Sequence, residues 1–172
     1  MERKLLLLGM LRIQDMHGYQ LNEMIDTHVE AGFHLKKPTM YKLLNDMVDD
    51  GWLTCTTHKE GNYPTRRVYS LTPEGEVAFV QLVRDSLGAY TPVEYRCNVG
   101  LLFMDVLSAD EKLALLQQRR ESINALLEES PPIHTIDNPH DLIFLHKALH
   151  LETELAWLDE VIANVAGATN EH

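Results

Sequence analysis

The spacing of apolar and polar positions predicts helices along most of the chain, and it is clearest between residues 38 and 51. In that stretch the apolar side chains follow the i, i+3, i+4, i+7, i+8 spacing of one buried helical stripe: Met40, Leu43, Leu44, Met47 and Val48. The opposite face is formed by Pro38, Lys42, Asn45 and Asp49. Pro38 suits the first helical position, and Gly51 ends the helix. The pattern therefore predicts a helix with one face free for a partner.

Two shorter helices precede this one. Residues 2–13 are apolar nearly all round, which predicts a buried first helix. Residues 14–16 break it, and Asp15 is expected to cap a second helix that begins near His17. Three short helices within about 50 residues, the third with a polar outer face, are typical of a helix-turn-helix.

A β-hairpin is expected after the third helix. Residues 54–57 and 66–71 are rich in residues with β propensity, and the loop between them is rich in turn-forming residues. This pattern predicts a β-wing that carries Lys59, Arg66 and Arg67 at or beside its tip, where contacts to a DNA backbone are natural.

Capping signals predict further helices in the second half. Residues 91–94 and 108–111 both fit the capping box, and Asn138 opens a last helix after the break at Pro131. Apolar side chains recur along this last helix at roughly heptad spacing, and they are the predicted dimerisation residues: Leu142, Leu145, Leu149, Leu155 and Leu158. Long helices with wide apolar stripes have little to bury against in one small chain, so the pattern predicts a homodimer.

Together these elements predict a mainly α fold with a small β-wing. An N-terminal winged helix-turn-helix over residues 1–87 is expected to precede a C-terminal α-helical dimerisation domain over residues 88–172.

Cys55 and Cys97 are too few and too far apart for a disulfide framework or a metal knuckle, which indicates reduced thiols. The N-terminal apolar run is far shorter than the ~20 residues of a membrane span, and no signal-peptide cleavage site follows it. We therefore expect a cytoplasmic protein.

The net charge of −11 opposes nucleic-acid binding, because affinity for DNA comes largely from Lys and Arg. Residues 1–87, however, carry ten basic and twelve acidic side chains, whereas residues 88–172 carry five and fourteen. One copy of the winged helix is thus nearly neutral, and tight DNA binding would need a dimer that presents two copies. The same charge favours an alternative function, a winged-helix adaptor that binds another protein and does not bind DNA.

Five blocks of the sequence resemble the PadR family of bacterial winged-helix transcriptional regulators. They are residues 6–11 (LLLGML), 17–21 (HGYQL), 39–44 (TMYKLL), 51–53 (GWL) and 66–75 (RRVYSLTPEG). The tail at residues 152–158 is similar to the closing helix of members with a long C-terminal domain, including those like the virulence activators. The resemblance implies a homodimer on a palindromic operator, with the third helix in the major groove. Some members of the family are released from DNA by a small aromatic ligand, and the resemblance implies this possibility as well. We expect a repressor of this kind.

The side chains expected to bind DNA combine the family's contacts with the basic residues around the third helix and the wing: Tyr19, Lys36, Lys37, Thr39, Tyr41, Lys42, Asn45, Lys59, Arg66 and Arg67. The tyrosines could instead simply pack. Asn45 has two interpretations, a carboxamide paired with an adenine edge or a solvated surface amide. The chain departs from the family at Lys37 and Pro38, where a small residue is common, and at Lys42, where proline is common. The base preference of the family therefore does not transfer.

The C-terminal half offers candidate ligand sites but no catalytic one. Phe144 and Trp157 either sandwich a planar effector or pack in a core. His146, His150 and Glu154 have the i, i+4, i+8 spacing of possible metal ligands, with His134 and His140 upstream, yet such histidines usually pack or hydrogen-bond. We expect no metal and no cofactor. Neither a Gly-rich phosphate loop nor a nucleophile motif is present in the sequence, so we do not expect an enzyme.

Overall fold

The computed structural model describes residues 1–27, 35–58, 66–95, 97–130 and 135–169, and helices form most of them. The helices are α1 (Glu2–Ile13), α2 (Gly18–Thr27), α3 (Lys37–Asp49), α4 (Pro73–Gly88), α5 (Asn98–Leu102), α6 (Ala109–Glu128) and α7 (Pro139–Thr169), with a short 3-10 helix at Met104–Val106. The strands are β1 (Met16–His17), β2 (Leu53–His58) and β3 (Arg66–Leu71). The predicted fold class, mainly α with a small β-wing, is confirmed. The chain divides into two compact units, Met1–Pro92 and Val93–His172.

The core of the N-terminal unit is formed by α1, α2, α3 and the sheet. Its fully buried side chains come from each of these elements: Leu7, Leu8, Leu21, Met40, Leu44, Met47 and Tyr69. The apolar stripe predicted for α3 therefore faces the core, and Leu43 and Val48 pack against it partly buried. Burial of this stripe leaves the opposite side of α3 at the surface.

The three strands form one antiparallel sheet in the order β1-β3-β2. The sequence pattern does not predict β1. Met16 pairs with Tyr69 of β3 and is buried, which keeps the chain extended before α2. The predicted cap of α2 by Asp15 is wrong, because α2 begins at Gly18 and β1 separates it from Asp15. The His17 N–H just before the helix donates to the side-chain Oε1 of Gln20 at 2.8 Å.

Glycine and threonine set the ends of the helices on either side of the wing. After α3, Gly51 adopts a φ of 76°, which favours glycine. Its N–H donates to the Val48 carbonyl at 3.0 Å, and the Trp52 N–H donates to the Met47 carbonyl at 2.9 Å, so the helix ends in a Schellman motif. Thr72 caps α4 by accepting from the Gly75 N–H at 2.9 Å.

In the C-terminal unit, α6 and α7 pack around Leu116, Ile123 and Leu158. Ser108 caps α6 in the predicted capping box. The second predicted box is wrong as a helix start, because residues 91–94 form no helix and α5 begins only at Asn98. A capping box satisfies backbone donors only where a helix forms, and residues 95–98 offer no apolar stripe that such a helix would bury. Among the described helices, none combines the length and the apolar character needed to cross a bilayer.

Candidate nucleic-acid interface

The outward side of α3 is the centre of the candidate site. Lys42 is exposed and Asn45 half-buried, and both lie opposite the buried stripe. Lys36 and Lys37 at the start of the helix are exposed as well, while Thr39 is half-buried. The beginning of α3 thus presents three lysines, and the residues of its first two turns include no acid. Together with the positive end of the helix dipole, this surface suits a phosphate backbone.

Two side chains of α3 rest on the start of α2. The Tyr41 ring lies against Gly18 so closely that a Cβ on Gly18 would be 2.4 Å from Tyr41 Cε1. One turn earlier, Lys37 Nζ lies 5.9 Å from the centre of the Tyr19 ring. Tyr19 is 68% exposed and Tyr41 is 39% exposed. The structure therefore brings both tyrosines to the surface beside the lysines of α3.

On the wing, the Arg67 side chain is exposed, and Cys55 and Tyr69 contact it. Its Nε donates to Cys55 Sγ at 3.2 Å, and its guanidinium lies 5.5 Å from the centre of the Tyr69 ring. The hydrogen bond to Cys55 raises the pKa of Arg67, and an arginine is in any case charged at physiological pH. The side chain of Arg66 and the whole of Lys59 lie outside the described residues.

Two acidic side chains of the N-terminal unit are paired with basic ones. Asp50, at the far end of α3, accepts from Lys4 Nζ at 3.0 Å. Glu76 of α4 accepts from Arg12 Nε at 2.7 Å. Exposed pairs of this kind add little stability, but they neutralise carboxylates that would otherwise repel phosphate.

The predicted dimerisation residues lie along α7 with different exposure. Leu142 is 53% and Leu149 is 52% exposed, while Leu145 and Leu155 are half-buried. Leu158 is fully buried in the cluster that it forms with residues of α6, so it has no surface to offer a partner. Exposed leucines thus lie in the first half of α7, and the second half packs within the chain.

Trp157 lines a cavity of about 320 Å³ in the C-terminal unit. The other described residues around this cavity are Tyr95, Asn98, His150, Thr153 and Glu154. Arg119 donates to Glu154 and also to Cys97 Sγ at 3.0 Å, and its guanidinium lies 5.3 Å from the centre of the Trp157 ring. Phe144, the second predicted effector residue, is not among the described residues that line the cavity.

The histidines considered as metal ligands take part in ring stacking. The rings of His146 and His150 lie 6.4 Å apart, and His150 stacks on Tyr95 at 6.2 Å. Glu154 is engaged by Arg119. Within the described part of the chain no group of three His, Cys, Asp or Glu side chains is placed to hold a metal ion, and His134 lies outside that part.

The sequence analysis did not identify the residues that position other side chains at the two candidate sites. Gly18 seats Tyr41, Cys55 holds Arg67, and Arg119 joins the parts of the C-terminal cluster. The resemblance included Gly18 only as part of a sequence block. No spacing rule relates Cys55 to Arg67 or Arg119 to Glu154, because each pair meets only after the strands or helices have packed.

Three helices followed by an antiparallel hairpin, with the third helix exposed on one side, define a winged helix-turn-helix. Residues 7–81 match the family model described as "Transcriptional regulator PadR-like family". The N-terminal part of the chain is therefore similar to the PadR-like family, and the resemblance seen in the sequence is confirmed.

Relatives of known function and structure extend the similarity over nearly the whole chain. The negative transcriptional regulator PadR of Bacillus subtilis (strain 168) is 24% identical over 180 residues, which cover 94% of this chain and 96% of that protein. The crystal structure of B. subtilis PadR in complex with operator DNA is similar with a TM-score of 0.72 at 21% identity, covering 94% of this chain and 98% of PadR.

Two further solved structures share the fold. B. subtilis PadR in complex with p-coumaric acid has a TM-score of 0.71 at 20% identity, over 95% of this chain and 98% of PadR. The Vibrio cholerae virulence activator AphA has a TM-score of 0.66 at 20% identity, over 96% of this chain and 99% of AphA. The TM-scores show a common fold. At identities this low, the ligands of this chain have to be inferred from its own residues.

Proposed function

We propose that this chain is a homodimeric transcriptional repressor that binds operator DNA in the cytoplasm through α3 and the wing. The observation that carries the proposal is the lysine-bearing, acid-free beginning of α3, exposed on a winged-helix unit that is similar to the PadR-like family. An α-helix fits the major groove, and the N-terminal residues of a recognition helix are the ones that reach base edges and phosphates.

The side chains divide into two roles under this proposal. Lys36, Lys37 and Lys42 contact phosphates, and Arg67 extends the phosphate contacts from the wing. Asn45, which is half-buried on the outward side of α3, would read an adenine edge through its carboxamide. Phosphate contacts supply affinity, whereas Asn45 would supply sequence preference.

Two copies of the site are needed for useful affinity. Residues 1–87 carry a net charge of only −2, so a single winged helix gains little from counterion release. The exposed Leu142 and Leu149 of α7 provide an apolar surface on which two chains can pair. Pairing places two α3 helices on one duplex, which matches a palindromic operator.

Repression and release by an effector are supported by the relatives. The curated relative is a negative regulator, and PadR is known in complex with operator DNA and with p-coumaric acid. In this chain the cavity beside Trp157 has aromatic walls in Tyr95 and His150 and a size suited to a small aromatic molecule. A rise in melting temperature with such molecules, reduced in Trp157→Ala, would support an effector site there.

DNA binding is tested by fluorescence anisotropy with a duplex from the region upstream of the chain's own gene. Lys42→Ala should weaken binding about five- to tenfold and lower the slope of log Kd against log salt by about one, the value for a single phosphate neutralised by a lysine. Lys147→Ala, which removes an exposed lysine from α7, is the matched control and should change neither quantity. If the wild-type chain binds no duplex even at low salt but retains one protein partner on purification, the adaptor alternative is correct.

A further inference from the structure

Position 18 requires glycine because of steric fit against Tyr41, and not because of its backbone conformation. A Cβ built on Gly18 would lie 2.4 Å from Cε1, 2.8 Å from Oη and 2.9 Å from Cζ of Tyr41. Favourable contacts between carbon atoms begin near 3.5 Å, so no residue with a side chain fits beneath the ring as it lies. The φ of Gly18 is outside the left-handed region that favours glycine. The position therefore needs glycine because the Tyr41 ring occupies the volume of a side chain.

The neighbouring residue of α2 receives a second group from α3. Lys37 Nζ lies over the Tyr19 ring at 5.9 Å. Lys37 and Tyr41 are four residues apart and share one side of α3, the side that borders its outward face. Gly18 and Tyr19 together thus hold two consecutive turns of α3 at the border of the candidate interface.

We infer that Gly18 is a positioning residue for DNA recognition, which sets the pose of Tyr41 and with it one edge of the surface that α3 presents to DNA. This inference rests on the proposed function. Gly18 itself need not touch DNA. Its role is to leave free the space that the Tyr41 ring occupies against the start of α2, at the border of the surface that α3 would present to DNA.

A second close glycine contact shows what a purely structural role looks like. A Cβ on Gly75 would lie 2.1 Å from the backbone oxygen of Trp52. A backbone carbonyl between α3 and β2 cannot move without shifting the sheet. The Tyr41 ring, in contrast, ends a side chain that can rotate away into solvent, because it is already 39% exposed. Alanine at Gly18 should therefore displace Tyr41 and spare the fold, whereas alanine at Gly75 should impair the fold.

The experiment is a double-mutant cycle on DNA affinity, with the melting temperature of every variant measured in parallel. Gly18→Ala should raise Kd about tenfold, the effect of removing one hydrogen bond to DNA, and should leave the salt slope unchanged because Tyr41 carries no charge. In a Tyr41→Ala background, Gly18→Ala should add less than about a twofold change, because the ring that it displaces is gone. Gly88→Ala is the control, since a Cβ there meets open space.

The outcomes separate this inference from the proposed function. If the wild-type chain does not bind DNA, the proposed function fails. If the wild type binds, and Gly18→Ala binds as well as the wild type or adds its full effect to that of Tyr41→Ala, the inference is wrong. It is also wrong if Gly18→Ala lowers the melting temperature as far as Gly75→Ala does, because Gly18 would then serve the fold.

Discussion

Replacing Thr72 by valine should destabilise the N-terminal unit by about 2 kcal/mol, because one hydroxyl both caps α4 and joins it to the turn between α3 and β2. Thr72 Oγ1 accepts from the Gly75 N–H at 2.9 Å, and its proton is shared between the carbonyls of Gly51 at 2.8 Å and Trp52 at 3.0 Å. Loss of a helix N-cap costs about 1 kcal/mol, and loss of a second hydrogen bond about 1 kcal/mol. Valine keeps the shape of threonine, so packing should change little.

Tryptophan fluorescence can report this unit alone. The chain has two tryptophans, Trp52 beside Thr72 and Trp157 in the C-terminal unit. In a Trp157→Phe background, urea unfolding followed by Trp52 should show the midpoint of Thr72→Val about 1 M lower, given a slope of about 2 kcal/mol per molar urea. Thr72→Ser keeps the hydroxyl and should lose less than half as much. Equal midpoints for the valine and serine variants would refute the role given to the hydroxyl.

Three further predictions concern the core, the C-terminal cluster and the dimer. Burial raises the pKa of Tyr69, so the unfolded chain releases this phenol proton first and stability should fall as pH rises above about 10. Tyr69→Phe should reduce that fall in urea unfolding compared at about pH 8 and about pH 10.5, and an equal fall in both proteins would contradict it. Arg119→Gln leaves the part-buried Glu154 without its cation and should cost the C-terminal unit about 2 kcal/mol, seen by Trp157 fluorescence. Leu142→Glu combined with Leu149→Glu should halve the mass found by light scattering, and an unchanged mass would place the dimer contact elsewhere.

Features fixed by neighbouring residues were predictable from the sequence. Ser108 with Glu111 marks a helix start because the cap and the groups that it satisfies lie within four residues of each other. Gly51 marks a helix end for the same reason. The stripe of α3 was predictable because a helix repeats its faces every few residues.

Features that depend on packing between distant segments were not predictable. β1 has two residues and exists because Met16 is buried opposite Tyr69, some fifty residues away. The seat of Tyr41 on Gly18 and the bond between Arg67 and Cys55 likewise require folded neighbours. Residues 91–94 show that local signals alone are not sufficient. They fit a capping box, but no helix forms there, because the residues that follow offer no apolar stripe that a helix could bury.

The distribution of charge decides how far the net value of −11 counts against DNA binding. Residues 88–172 hold fourteen of the acidic side chains and five of the basic ones, so most of the negative charge belongs to the C-terminal half. In the N-terminal unit, Asp50 and Glu76 are paired with Lys4 and Arg12. At physiological ionic strength, exposed charges separated by more than about 8 Å are largely screened, so the field at α3 comes from its immediate neighbours. Lys36, Lys37 and Lys42 lie at the start or in the first half of α3, whereas Asp46 and Asp49 lie in its second half. A phosphate that approaches the beginning of α3 therefore meets local positive charge, even though the whole chain is acidic.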